Sequence, residues 1–182
     1  LGNTKGQTPL SEAIHFGMVK TVRKLVQKGA AMPPTDQLSL LLTHAAAVGD
    51  SDSLSWLLEN GADLNAADPE GNTALQSACR TGNFSLARQL IEKGASLSYN
   101  SSDSLSPLNA AIIQGNAEFF EWLLEKRDSG LDLNRPNKQG DTPFSVACYH
   151  GRFDMARKLA DRGVDISAPC QSLPPPLISA VN

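Results

Sequence analysis

A period close to 33 residues runs through this sequence and limits what it can fold into more tightly than any other feature. Five segments, TPLSEAIHFG, LLLTHAAAVG, TALQSACRTG, SPLNAAIIQG and TPFSVACYHG, end in Gly17, Gly49, Gly82, Gly115 and Gly151, giving spacings of 32, 33, 33 and 36. Twelve residues after that glycine comes a second, in Gly29-Ala30, Gly61-Ala62, Gly94-Ala95 and Gly163-Val164. The fourth unit breaks this register with three extra residues around Arg127 to Ser129. A period of this length means stacked units, none able to bury its apolar face alone.

Each unit reads as two helices. In Thr8-Pro9, Ser106-Pro107 and Thr142-Pro143 the hydroxyl can cap free helix N–H groups, and proline at the first helical position sacrifices no hydrogen bond. Leu10, Ala13 and Ile14 recur as Leu75, Ala78 and Cys79 and as Leu108, Ala111 and Ile112, a spacing that lines one helical face. The glycine then stops the first helix, and Asp50, Asn83 or Asn116 is placed to cap the second. Turns such as Asp68-Pro69-Glu70-Gly71 and Asn137-Lys138-Gln139-Gly140 link one unit to the next as projecting fingers.

These motifs resemble the ankyrin repeat family, whose 33-residue unit opens with Thr-Pro-Leu-His-x-Ala. The resemblance covers Asn3 to Asn182. It implies an all-α solenoid of helix-turn-helix units with β-hairpin or turn fingers. The expected layout is one domain over 1–182, with repeats at about 3–34, 35–67, 68–100, 101–136, 137–169 and a partial one at 170–182. No unit keeps the family's histidine; the slot holds Ser11, Thr43, Gln76, Asn109, Ser145 and Ile178. The second unit has Leu40-Leu41 where Thr-Pro is expected, and its finger is AMPPTDQ, so local irregularity is expected between Ala31 and Leu40. The first unit keeps a full apolar set, without the polar face that the end of a stack needs. Further repeats or domains of the same chain are therefore expected at both ends.

The family resemblance implies a scaffold without catalysis of its own that holds a protein or peptide on its concave face. Carried over by position, the binding strip comprises His15, Phe16, Val48, Arg80, Thr81, Ile113, Gln114, Tyr149 and His150. Phe16, Val48, Ile113 and Tyr149 are either interface anchors or covers for the adjacent finger. The finger rim comprises Lys5, Gln37, Glu70, Asn72, Asp103, Leu105, Lys138 and Asp141. The alternative reading is an internal segment of a larger enzyme or channel whose own domain docks on the same face. The resemblance also raises asparaginyl hydroxylation at Asn65, against a plain turn asparagine, and Ser106-Pro107 is either a phosphorylation target or a helix cap. Trp56 and Trp122 either pack against outer helices or form a second site.

Sixteen basic against nineteen acidic residues leave a net charge of -3, with no run of one sign, so a nucleic-acid partner is not expected. No apolar run approaches the roughly 20 residues that cross a bilayer. Cys79, Cys148 and Cys170 are an odd number without paired spacing, pointing to a reducing intracellular compartment, cytoplasmic or nuclear. Cys79 and Cys148 share a core slot and are expected to be inert thiols. His15, His44 and His150 lie in different repeats, so neither a metal site nor another cofactor is expected.

Overall fold

Local capping chemistry sets the helix starts. Thr8, Thr73, Ser106 and Thr142 accept the backbone N–H three residues on, opening α1 (Pro9–His15), α5 (Ala74–Arg80), α7 (Pro107–Gln114) and α9 (Pro143–Tyr149). Each starts eight residues before its glycine, as the repeat register requires. The second helices are α2 (Val19–Gln27), α4 (Ser51–Glu59), α6 (Phe84–Glu92), α8 (Ala117–Glu125) and α10 (Phe153–Asp161). The computed structural model describes residues 8–97, 105–126 and 131–167, and among these it holds ten helices and no strand. The partial sixth repeat, the insertion in the fourth, Lys5, Asp103 and Cys170 lie outside the described residues.

The remaining first helix departs from the sequence expectation. Instead of an irregular stretch up to Leu40, α3 (Thr35–Val48) runs for 14 residues and starts 14 before Gly49. Pro34 stands at its N-cap in extended conformation, and Leu38, Ser39 and Leu41 are buried along it. An apolar residue on every turn of this stretch rewards helix more than the lost Thr-Pro signal penalises it. Gln37 thus sits on a helix, half-buried, and not on a finger.

The chain divides into two compact units, Leu1–Ala95 and Ser96–Asn182. In the first, α3 packs on α4 and α5, and Val22, Leu41, Ala45, Leu54, Leu57, Ala78 and Leu90 are fully buried. Zero exposure at the small Ala45 and Ala78 lets helices approach closely. In the second, α7 packs on α8 and α9 around Ala111, Ile112, Phe120, Ala147 and Leu159.

The described finger turns share one device. Asp68 accepts the Asn72 N–H at 2.7 Å and Asn137 accepts that of Asp141 at 2.9 Å, while Gly71 and Gly140 donate back to the carbonyls of Asp68 and Asn137. In the first unit the finger also holds an isolated bridge from Ala67 to Thr73.

Candidate functional site

The glycine ending each first helix and the residue after it build the repeat junctions. Gly17 has a φ of +63°, and a Cβ there would lie 2.5 Å from His44 Cδ2; His44 itself contacts the Leu40 carbonyl through Nδ1 at 3.2 Å. Asp50 caps α4 as expected, accepting from Ser53 N, and also takes Lys20 Nζ at 3.1 Å from the preceding repeat. Burial alone would raise its pKa, but the Ser53 N–H and hydroxyl and the Lys20 ammonium together hold it below the usual carboxylate value. Asn83 does not cap its own helix. Its Nδ2 donates to the Ala47 carbonyl at 2.8 Å and the Ala46 carbonyl at 3.3 Å, at the end of α3. An amide can donate where an aspartate cannot, so it serves the orphan carbonyls of the helix before it.

The strip residues in the first unit are open. Phe16 is 66% exposed and Val48 77%, so neither covers a finger base, and His15, Arg80 and Thr81 are exposed beside them. The rings of His15 and Phe16 meet edge to face at 5.1 Å. Arg80 has no carboxylate partner among the described residues.

In the second unit, Tyr149 is 55% exposed and meets His150 edge to face at 5.2 Å, while Gln114 and His150 are exposed and Ile113 is half-buried. The carbonyl of Ile113 accepts from Arg152, which holds the end of α7 in place.

The rim set is less uniform than its positions suggest. Glu70 and Lys138 stand exposed at finger tips. Asp141 does not belong to the rim: it is 2% exposed and spent closing its own turn with Asn137. Asn72 plays the same part for Asp68 and is half-buried, as is Leu105.

Other candidates take structural places. Cys79 is fully buried, which pushes its thiol up to about 12; Cys148, expected to match it, is half-buried. Asn65 lies in a turn, its N–H donating to Asp63 Oδ1 at 2.9 Å, and Ser106 caps α7. Trp56 is half-buried with Arg23 at 6.0 Å from its ring, and Trp122 stacks on Phe119 at 5.7 Å under Lys126. Among the described residues no cluster of three His, Cys, Asp or Glu could hold a metal ion, and no helix is long and apolar enough to cross a membrane.

Met18 is the residue that position-matching passes over. It is 52% exposed and stands one place after Gly17, where Asp50 and Asn83 stand in later repeats. Its sequence signal is that exception to a polar slot.

A model of the ankyrin repeats family, comprising three repeat copies, matches residues 42–137 and 96–170. The transient receptor potential cation channel subfamily A member 1 homolog of Caenorhabditis elegans is 30% identical over 86 residues, 47% of this chain and 7% of that channel, so the chain spans a small fraction of the relative's length. Among solved structures, the crystal structure of the human ASB11 ankyrin repeat domain is similar with a TM-score of 0.64 and 28% identity, over 89% of this chain and 72% of that one.

Proposed function

The chain belongs to the ankyrin repeat family, and from that premise we propose that it is a protein-interaction scaffold, binding a partner protein or peptide along the exposed ends of its first helices. The observation that carries this reading is the exposure of Phe16, Val48 and Tyr149, large apolar side chains within two residues of the glycine that ends the first helix in three repeats, where water alone gives no reason for them. His15, Arg80 and Thr81 in the first unit and Gln114 and His150 in the second supply polar contacts, and Glu70 and Lys138 a charged rim. Catalysis has no place in this reading.

A second reading is favoured by the channel homolog, of which the chain matches only 7%. Here the same surface docks a neighbouring domain of a longer intracellular chain. In the first repeat Leu10 and Leu25 are half-buried whereas their counterparts Leu75 and Leu90 are buried, which leaves apolar surface on α1 and α2 that such a domain would also cover.

The test is affinity capture from cell extract with the wild-type chain, followed by the same capture with Gln114→Glu/Tyr149→Ala. Both positions are exposed, so helical circular dichroism stays intact while the specific partner is lost. Undiminished capture refutes the assignment of this surface.

A further inference from the structure

Phe16 and Met18 flank Gly17, and Met18 and Val48 line a cleft of about 220 Å³ together with Ala45, Lys20 and Asp50. Exposed apolar side chains opening onto one cleft make an anchor site for a bulky apolar residue. The helix that forms one wall, α2, carries Lys20, Arg23 and Lys24, with Lys28 just beyond its end, and holds no acidic residue. Lys20, Lys24 and Lys28 are all exposed and stand four residues apart, so like charges face one another along one stripe, an arrangement that weakens a helix. Of these, Lys20 has Asp50 opposite, whereas Lys24 and Lys28 have no carboxylate partner among the described residues. The stripe therefore has uncompensated positive charge leading directly away from an apolar cleft.

Building on the scaffold reading above, we infer that this corner binds an acidic peptide in extended conformation, with a bulky apolar residue in the Met18–Val48 cleft and carboxylates along Lys24 and Lys28, past the Lys20–Asp50 pair. The spacings agree. Four helical residues advance about 6 Å, and residues two apart on an extended peptide advance about 6.6 Å, so alternate acidic residues meet successive lysines. The recognised pattern is an apolar residue followed by acids at the fourth and sixth positions after it.

Fluorescence anisotropy of the whole chain with fluorescein-labelled Leu-Ser-Ser-Ser-Glu-Ser-Glu tests this at about 0.05 M salt, where surface charges are weakly screened. The wild type is expected to bind, with affinity falling about tenfold or more in Lys24→Glu/Lys28→Glu and severalfold in Val48→Ser, all three being exposed positions. Replacing the peptide's leucine by serine is expected to cost a similar severalfold. The inference is overturned by no binding to the wild type, by equal binding to the charge-reversed variant, or by equal binding of the serine peptide, which marks bare charge attraction. It is equally overturned if phosphatidylserine vesicles bind through Lys24 and Lys28 and the peptide does not. None of these outcomes bears on partner capture through Gln114 and Tyr149, so the scaffold reading stands or falls separately.

Discussion

Replacing Asn109 by leucine should make the protein more stable, although it alters a fully buried position. Asn109 is the third residue of α7, 1% exposed, and neither its amide nitrogen nor its amide oxygen has a hydrogen-bond partner among the described residues. In other first helices this slot is satisfied. Ser11 and Ser145 donate to the carbonyls of Thr8 and Thr142 at 2.9 Å, and Gln76 accepts from Thr73 N at 2.8 Å. Asparagine is one methylene shorter than the glutamine that completes a capping box and has no hydroxyl to turn back as serine does. Leaving such a group buried and unpaired costs about 1–3 kcal/mol. Leucine has the same branching and abolishes that cost, while its greater bulk takes back about 1 kcal/mol through crowding. The N–H of residue 109 survives the change and still donates to Ser106 Oγ, so the helix start is kept.

A net gain of about 1 kcal/mol, the middle of the resulting range, corresponds to a Tm rise of roughly 2–4 °C for a chain of this size. Urea unfolding followed by far-ultraviolet circular dichroism should show the midpoint rise with unchanged slope. The matched control is Ser145→Leu, which removes a bond that is made and should destabilise by about 1 kcal/mol or more. Opposite signs at one slot in two repeats are the signature of the argument. If Asn109→Leu destabilises as Ser145→Leu does, the amide is paired, for instance through a water it holds, and the reasoning fails.

Three further outcomes follow from the geometry. Because the Asp50 pKa is lowered in the folded chain, the stability it contributes is present above the unfolded carboxylate value of about 4 and is lost as pH falls through its folded value. Asp50→Asn should accordingly flatten the fall in stability below about pH 4, as seen in thermal melts over pH 2–6. Gly17→Ala combines a left-handed backbone with a Cβ 2.5 Å from the His44 ring and should cost about 2–4 kcal/mol, whereas Gly29→Ala, with φ +97° and nothing within 4 Å, should cost about 1–2 kcal/mol in chemical denaturation. Cys79, its thiol pushed up to about 12 and buried, should remain unmodified by iodoacetamide at pH 8 until the chain unfolds, as read by mass spectrometry of its tryptic peptide.

What could be read from sequence follows how local each signal is. Thr8-Pro9, Ser106-Pro107 and Thr142-Pro143 begin helices because cap and first turn lie within four residues of each other, and all three starts are where the spacing predicts. α3 escaped because its helix is held by burial of Leu38 and Leu41, a tertiary effect that overrides a missing start signal. Asn83 escaped for a related reason: one side chain has two possible uses, and only the position of the α3 carbonyls decides between them. Likewise, position alone placed Asp141 on the rim, whereas its turn draws it inward. The exposure of Phe16, Val48 and Tyr149 was undecidable from sequence because cover and anchor call for the same residue types.

The same slot, solved differently in each repeat, shows where a stack of like units acquires its register. Apolar faces built from leucine and alanine are nearly interchangeable between repeats, so they reward stacking without specifying which unit follows which. The residue after the first-helix glycine is not interchangeable. Asp50 reaches back to Lys20, Asn83 to the carbonyls of Ala46 and Ala47, and Arg152 to those of Ile112 and Ile113. The latter two bonds require glycine in the earlier repeat, since a Cβ on Gly49 would stand 2.9 Å from Asn83 Oδ1 and one on Gly115 2.7 Å from the Arg152 guanidinium carbon. The glycine thus does more than end its own helix: it clears the space through which the next repeat caps it. Met18 has no polar group with which to do this for a repeat before it, which leaves the slot apolar and exposed at the place where we infer a peptide is anchored.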